Sequence, residues 1–339
     1  MAVSTTPSQL KSPFQYGHRF SIYRRSRYVA LLLVFLICTS LYAGLKWQIE
    51  PELEPQPEPE SEPEPEQEPE PEETLEPIYH IDPGINLTTN TQTALVLGKM
   101  RRDNVEWVLE LGEELNYTSI IYSMESLPEK SAFIPHTLRG HESAAYLSYI
   151  IDFYDRLPAY SIFIHPDKDQ WHNDLFGSPT SEVLSNLRLA AVDSMGYVNL
   201  RCKADPGCPI SMHPLDPTPI DIENKDVRAY MGEIYMELFQ VQLKDVPRDV
   251  GGVCCGQFVV SRERIRQRPK SDYMRMIKWA NETTTTHNFG VGWVFEKLWH
   301  QIFGMDAIYC PRFEQCRCDV YGWCGPLASG ETLTPVGSH

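Results

Sequence analysis

Residues 28–45 (YVALLLVFLICTSLYAGL) carry no charge, and this run divides the chain into two unequal parts. As a helix it spans roughly 27 Å, about the hydrocarbon thickness of a bilayer. Lys11, Arg19, Arg24, Arg25 and Arg27 precede it, and residues 1–49 contain no Asp or Glu. Segments rich in Lys and Arg stay in the cytosol. The pattern therefore predicts a single-pass type II membrane protein, with residues 1–27 cytosolic, 28–45 a signal anchor, and the remainder lumenal or extracellular. A cleaved signal peptide is the alternative reading. The polar segment before the run is long for one, and no small-x-small cleavage site follows.

The next segment has almost nothing to bury. Residues 50–77 hold 13 Glu and no Lys or Arg, interleaved with Pro. Its charges repel and Pro removes backbone donors, so 46–77 reads as an extended, disordered stem. At the polyproline II rise the Glu/Pro tract would reach roughly 85 Å. Of the formal net charge of −16, the part beyond the stem carries 33 acidic and 24 basic residues. That balance argues against nucleic acid as a partner.

Cysteine usage agrees with an oxidising compartment. Cys38 lies in the apolar run; Cys202, Cys208, Cys254, Cys255, Cys310, Cys316, Cys318 and Cys324 lie beyond it. An even number there predicts disulfides. The spacing from Cys310 to Cys324 lacks the C-x2-C pairs usual for zinc. Cys202 and Cys208 are expected to close a local loop. Cys254 and Cys255, being adjacent, are expected to bond to different partners. Asn86, Asn116 and Asn281 begin Asn-x-Thr sequons and are glycosylation acceptors if lumenal.

From residue 78 the composition becomes globular. A strand is predicted at 93–98 (TALVLG), a helix at 104–115, a strand at 119–122, a helix at 142–154 and a strand at 160–165. This alternation predicts an α/β fold: a Rossmann-like parallel or mixed sheet flanked by helices. Right-handed crossovers would bring the three strand C-termini to one edge, where open sheets bind ligands. The second half reads as helices at 181–189, 227–241 and 292–303, a Pro/Cys-rich loop at 201–219, and a strand at 256–261 followed by basic helical turns. Residues 78–325 form the predicted domain, and 326–339 read as a disordered tail.

Candidate chemistry gathers at the predicted ligand edge. Residues 163–174 read FIHPDKDQWHND. Asp167 and Asp169, one residue apart just past a strand, can share Mn²⁺ or Mg²⁺ bridged to a diphosphate, and His165 and His172 add possible ligands. Arg101 and Arg102 follow the first strand and can pair with diphosphate oxygens. Ser123 and Glu125 follow the second strand, at nucleoside-binding positions. Glu142 suits the first turn of its helix. Glu296 and His300 share a helical face, and Glu296 is placed to act as a general base on an acceptor hydroxyl. Arg262, Arg264, Arg266, Arg268 and Lys270 form a basic cluster that reads either as a phosphate site or as a solvated helix face. There is no Gly-x-Ser-x-Gly elbow, Walker loop, His-Glu-x-x-His or Gly-x-Gly-x-x-Gly, which argues against the corresponding hydrolase, nucleotidase, zincin and dinucleotide classes.

Five separated segments occur in one order: GHESAAYLSYIIDFYDRLPAYSIFIHPDKDQWHND, GYVNLRC, CGQFVVSRERIRQRP, EKLWHQIFG and YCPRFEQCRCDVYGWC. Over 93–324 the chain resembles the fungal family labelled domain of unknown function 3431. In that pattern His165 and Trp171-His172-Asn173 are more typical than the paired Asp. The layout is also similar to that of A-fold glycosyltransferases: anchor, stem, α/β domain, a strand followed by Ser261-Arg262-Glu263, then a late acidic helix. That second resemblance implies a nucleotide-sugar donor, a glycan or other hydroxyl acceptor, and Mn²⁺ or Mg²⁺. Two other functions fit the same residues. One is a non-catalytic lumenal binding or scaffolding protein. The other is a metal-dependent hydrolase using His165, Asp167, Asp169 and His172.

Overall fold

Strict alternation at the centre of the chain builds the sheet. β1 (Thr93–Lys99) is buried along its whole length. It sends Ala94 and Val96 into one apolar cluster and Leu95 and Leu97 into another. A strand covered on both faces needs such an apolar run. The computed structural model describes residues 92–337. The expected cytosolic tail, anchor and stem, and Asn86, lie outside the described residues. Among the described residues no helix is long and apolar enough to cross a membrane.

The chain continues through α1 (Glu106–Leu115), β2 (Thr118–Ser123), α2 (Glu142–Phe153), β3 (Tyr160–Phe163), α3 (Thr180–Ser185), α4 (Leu189–Met195) and β4 (Tyr197–Asn199). Next come α5 (Pro219–Glu223), α6 (Met231–Phe239), β5 (Gly251–Gly252), β6 (Phe258–Ser261) and α7 (Arg262–Arg266). α8 (Lys270–Glu282), α9 (Asn288–Ile302), β7 (Ile308–Tyr309) and α10 (Phe313–Tyr321) complete it. The main sheet has the order β2-β1-β3-β6-β4. β1 is parallel to β2 and β3, while β6 runs antiparallel to both β3 and β4. The fold is α/β with a mixed five-stranded sheet flanked by helices. β5 and β7 form a separate two-stranded ribbon.

Helices cover both faces. α2, α6, α8 and α9 close one side, where Tyr146, Phe163, Phe258, Trp299 and Phe303 interlock with ring centroids 4.9–6.5 Å apart. α1, α3, α4 and α10 close the other. The crossover from β1 to β2 and the one from β2 to β3 run in opposite directions across the sheet, so α1 and α2 fall on opposite faces.

The structure corrects several expectations. The helix expected over 181–189 is two helices, α3 and α4, and β4 follows unpredicted because three residues show no periodicity. Cys202 bonds to Cys316 and Cys208 to Cys310, instead of closing a local loop. Cys202 is buried against the α10 side of the sheet, where Cys316 meets it. Cys254 and Cys255 bond to each other, with Cys255 at φ 91°, because the other six cysteines pair among themselves. Cys318–Cys324 completes the set, so the cysteines of 310–324 form disulfides, as expected. Residues 326–337 of the segment read as a disordered tail contact the domain. The Leu333 amide donates to the Cys324 carbonyl, the Val336 amide donates to Asp319 Oδ1 at 2.7 Å, and Val336 adds to the apolar layer.

Candidate functional site

β2 and β3 flank β1 on opposite sides, so connections diverge at the carboxyl ends of β1 and β3. Open α/β sheets leave a crevice at such a switch point. The turns after β1 and β3 stand side by side there: Val96 is in register with Phe163, and the Ile164 amide donates to the Val96 carbonyl at 3.1 Å. Trp107 Nε1 of α1 donates to the Pro166 carbonyl at 2.9 Å and ties the two turns together. Because β6 is antiparallel, its entry residues 254–257 arrive at this same edge. A crossover helix runs against its strands, so α2 begins there too.

The β1 turn is partly committed to structure. The Arg101 amide donates to Glu125 Oε1 at 2.8 Å, and its guanidinium donates to the Leu127 carbonyl. The structure thus brings Arg101 and Glu125 together, as expected of one edge. Arg102 is open to solvent, 3.8 Å from Asp103. Lys99, not singled out from sequence, lies buried and pairs with Glu129 at 3.0 Å. Ser123 is buried, with its amide donating to the Phe133 carbonyl.

The β3 turn divides by polarity. Asp167 and Asp169 face solvent. Asp169 Oδ1 accepts from Ser178 Oγ at 2.7 Å, and the Asp167 carbonyl accepts from Gln170. His165 turns toward the strand edge. Its Nε2 donates to the Cys255 carbonyl at 2.8 Å, and its amide donates to Gln257 Oε1 at 3.2 Å. A carbonyl only accepts, so Nε2 carries hydrogen and Nδ1 is the nitrogen able to hold a lone pair. Gln257 Nε2 then donates to Asn173 Oδ1, whose amide holds Ser178 and Thr180.

His172 is 4% exposed, with its ring 5.3 Å from that of His165. Burial, then His165, then Arg201 push its pKa down to about 4. A histidine held below its ordinary pKa refuses a proton that the unfolded chain accepts. Its contribution is present in full above about pH 6.5 and fades as pH falls toward 4, by about 2–3 kcal/mol. Guanidinium unfolding at neutral and mildly acid pH should show this fall, and His172→Gln should show less of it. Equal acid losses in both proteins would dismiss the assignment.

One convergence escaped sequence reading. A Cβ built on Gly256, at φ 65°, would lie 3.8 Å from both Glu142 Oε1 and His165 Cε1. The first-turn acid of α2 and the imidazole after β3 thus flank the entry to β6, beside the Cys254–Cys255 bridge. The available signal was the right-handed crossover, which delivers the start of α2 to this edge.

α9 starts at the same end, where Asn288 Oδ1 accepts from the Gly140 amide at 2.6 Å. Gly292, Glu296 and His300 form one stripe at i, i+4 and i+8. A Cβ on Gly292 would lie 3.1 Å from the Gly140 carbonyl and 3.4 Å from His141 Cδ2, so Gly292 lets α9 press on the start of α2. Glu296 Oε1 accepts from Lys297 Nζ at 2.8 Å. His300 does not assist it: it is buried, donates to the Ala307 carbonyl, and burial lowers its pKa.

The arginines of the basic cluster are tied to backbone carbonyls. Arg262, Arg264, Arg266 and Arg268 donate to the carbonyls of Leu157, Met195, Tyr154 and Ile302 respectively.

Among the described residues no three His, Cys, Asp or Glu side chains converge as a closed metal set would. His165, Asp167, Asp169 and His172 divide between the strand edge and solvent. Two accessible carboxylates fit a hard cation only if phosphate oxygens and water complete its shell, as is common for Mg²⁺.

These features define an α/β protein whose polar groups collect at the switch point of a mixed sheet. The chain belongs to the family described as "Protein of unknown function (DUF3431)", which matches residues 95–319. No curated protein and no solved structure matches it.

Proposed function

We propose that the chain is a lumenal, type II glycosyltransferase-like enzyme that takes a nucleotide-sugar donor across the carboxyl ends of β1 and β3. One observation carries this reading: the cationic turn holding Arg101 and Arg102 and the acidic turn holding Asp167 and Asp169 emerge from adjacent parallel strands. Cationic and acidic turns at one edge suit a diphosphate, the first by direct pairing and the second through a shared cation. A bound Mn²⁺ or Mg²⁺ would supply charge neutralisation for the departing diphosphate. Four disulfides are compatible with the oxidising compartment this topology requires.

In the reaction, the acceptor hydroxyl oxygen bonds to the anomeric carbon. The bond from that carbon to the phosphate oxygen breaks, and the electron pair leaves with the nucleoside diphosphate. Glu296 receives the hydroxyl proton, with Lys297 holding the carboxylate in place. Glu142 and His165, which flank Gly256, orient the donor.

A panel of UDP- and GDP-sugars with Mn²⁺ tests the donor site on the purified full-length chain. A ligand at a hundredfold its Kd adds about 2.7 kcal/mol. That raises the unfolding midpoint by about 5–10 °C for a domain of this size. Asp167→Asn should abolish the rise without loss of basal stability, since the Asp167 side chain holds no partner among the described residues. Flat curves across the whole panel would sink the reading.

A further inference from the structure

A cleft of about 900 Å³ opens on the far side of Lys297, within the size range of small-molecule sites. Phe289, Trp293 and Lys297 from the first turns of α9 form one wall. The threonines at 284–286, the turn at Lys225 and the segment around Gly207 form the others. We propose that this cleft seats the acceptor, and that the acceptor is a carbohydrate carrying an anionic group. The assignment rests on the transferase reading of Glu296.

The lining matches that chemistry on two counts. Phe289 is 66% exposed at the cleft. Trp293 is half-buried there. A pyranose presents C–H groups on its faces and hydroxyls around its rim. Flat apolar rings beside the hydroxyls of Thr284, Thr285 and Thr286 complement both parts.

The charges complement the anion. Asp226 neutralises Arg228, accepting from it at 2.8 and 3.0 Å. Lys297 is held between Glu296 and the Trp293 ring, 5.7 Å from its centroid. Lys225 is exposed in a left-handed turn at φ 50° and engages no side chain among the described residues. Cations lining a cleft in a chain of net charge −16 attract an anionic ligand against the prevailing field. An anion drawn to Lys297 comes to rest next to the base that takes the hydroxyl proton.

Titration calorimetry on the full-length chain without donor tests this. The probes are a neutral oligosaccharide and matched oligosaccharides bearing one phosphate or one uronic carboxylate. The anionic sugars should bind at least tenfold more tightly than the neutral one, and the better of the two identifies the anion. Phe289→Ala should weaken all three by fivefold or more. Lys225→Glu should bring the anionic sugars toward the neutral value. Both side chains are exposed, so folding is not at risk. Equal affinity for all three sugars, no measurable binding, or wild-type affinities in both variants would overturn the proposal. The nucleotide-sugar thermal shift separates the two readings. A retained shift with no glycan binding removes only the acceptor site. Glycan binding with a flat nucleotide panel upholds the ligand class and removes the transferase reading.

Discussion

Replacing Cys202, Cys208, Cys310 and Cys316 together with alanine will leave the α/β domain unfolded near physiological temperature, while removing either bridge alone will not. The two bridges are nested: Cys202–Cys316 spans 114 positions and Cys208–Cys310 spans 102. With the inner bridge intact, the outer one closes an effective loop of only about 14 residues, worth about 3 kcal/mol in the chain-entropy picture. The last remaining bridge closes a loop of about 100 residues, worth about 4.7 kcal/mol. Either single pair of substitutions should therefore cost about 3 kcal/mol, and all four about 7–8 kcal/mol. The stability of a whole domain is only about 5–15 kcal/mol. Far-UV circular dichroism and thermal melts of the two paired variants and the quadruple variant measure this. A quadruple variant that melts within a few degrees of either paired variant would show that packing alone holds α10 to the sheet.

Under the transferase function we propose, Glu296→Gln will lower glycosyl transfer by about 10²–10⁴-fold, the usual worth of general-base catalysis. The amide keeps the shape of the side chain but has no basic oxygen for the acceptor proton. The proposed donor site lies at the β1 and β3 turns, so the nucleotide-dependent thermal shift should persist in the variant. Product formation at saturating donor separates the two. Loss of rate with retained donor binding supports the role, and a variant that turns over at the wild-type rate would remove Glu296 from the chemistry. Lys297 loses its ion pair in this variant. That pair is partly exposed, so its loss should cost little stability.

Much of the first half was legible because its signals are local. The runs at 93–98 and 160–165 are apolar and short, and the helical spacing of Val105, Val108, Leu109, Leu111 and Leu115 lies between them. Three parallel strands with helical crossovers follow from these signals and from chain handedness. These signals do not say which strands are neighbours; the order β2-β1-β3 sets the turns after β1 and β3 side by side. The second half was less legible for equally physical reasons. β4 has three residues and β5 two, too few for any period to show. The arginines after β6 read as a basic cluster, but their partners are backbone carbonyls supplied by residues 154–157, 195 and 302. No pattern in 262–270 encodes those.

The amino-acid sequence determined by itself what depends on neighbours along the chain: the uncharged run, the Pro/Glu tract, the parallel α/β order, and an even set of cysteines past the run. The tertiary structure alone decided what depends on distant segments meeting. It chose which cysteine faces which, turned His172 inward while Asp167 stayed in water, and set Glu142 against His165 across Gly256. Close packing of side chains from separate elements makes these choices, and a residue's partners there lie tens to more than a hundred positions away.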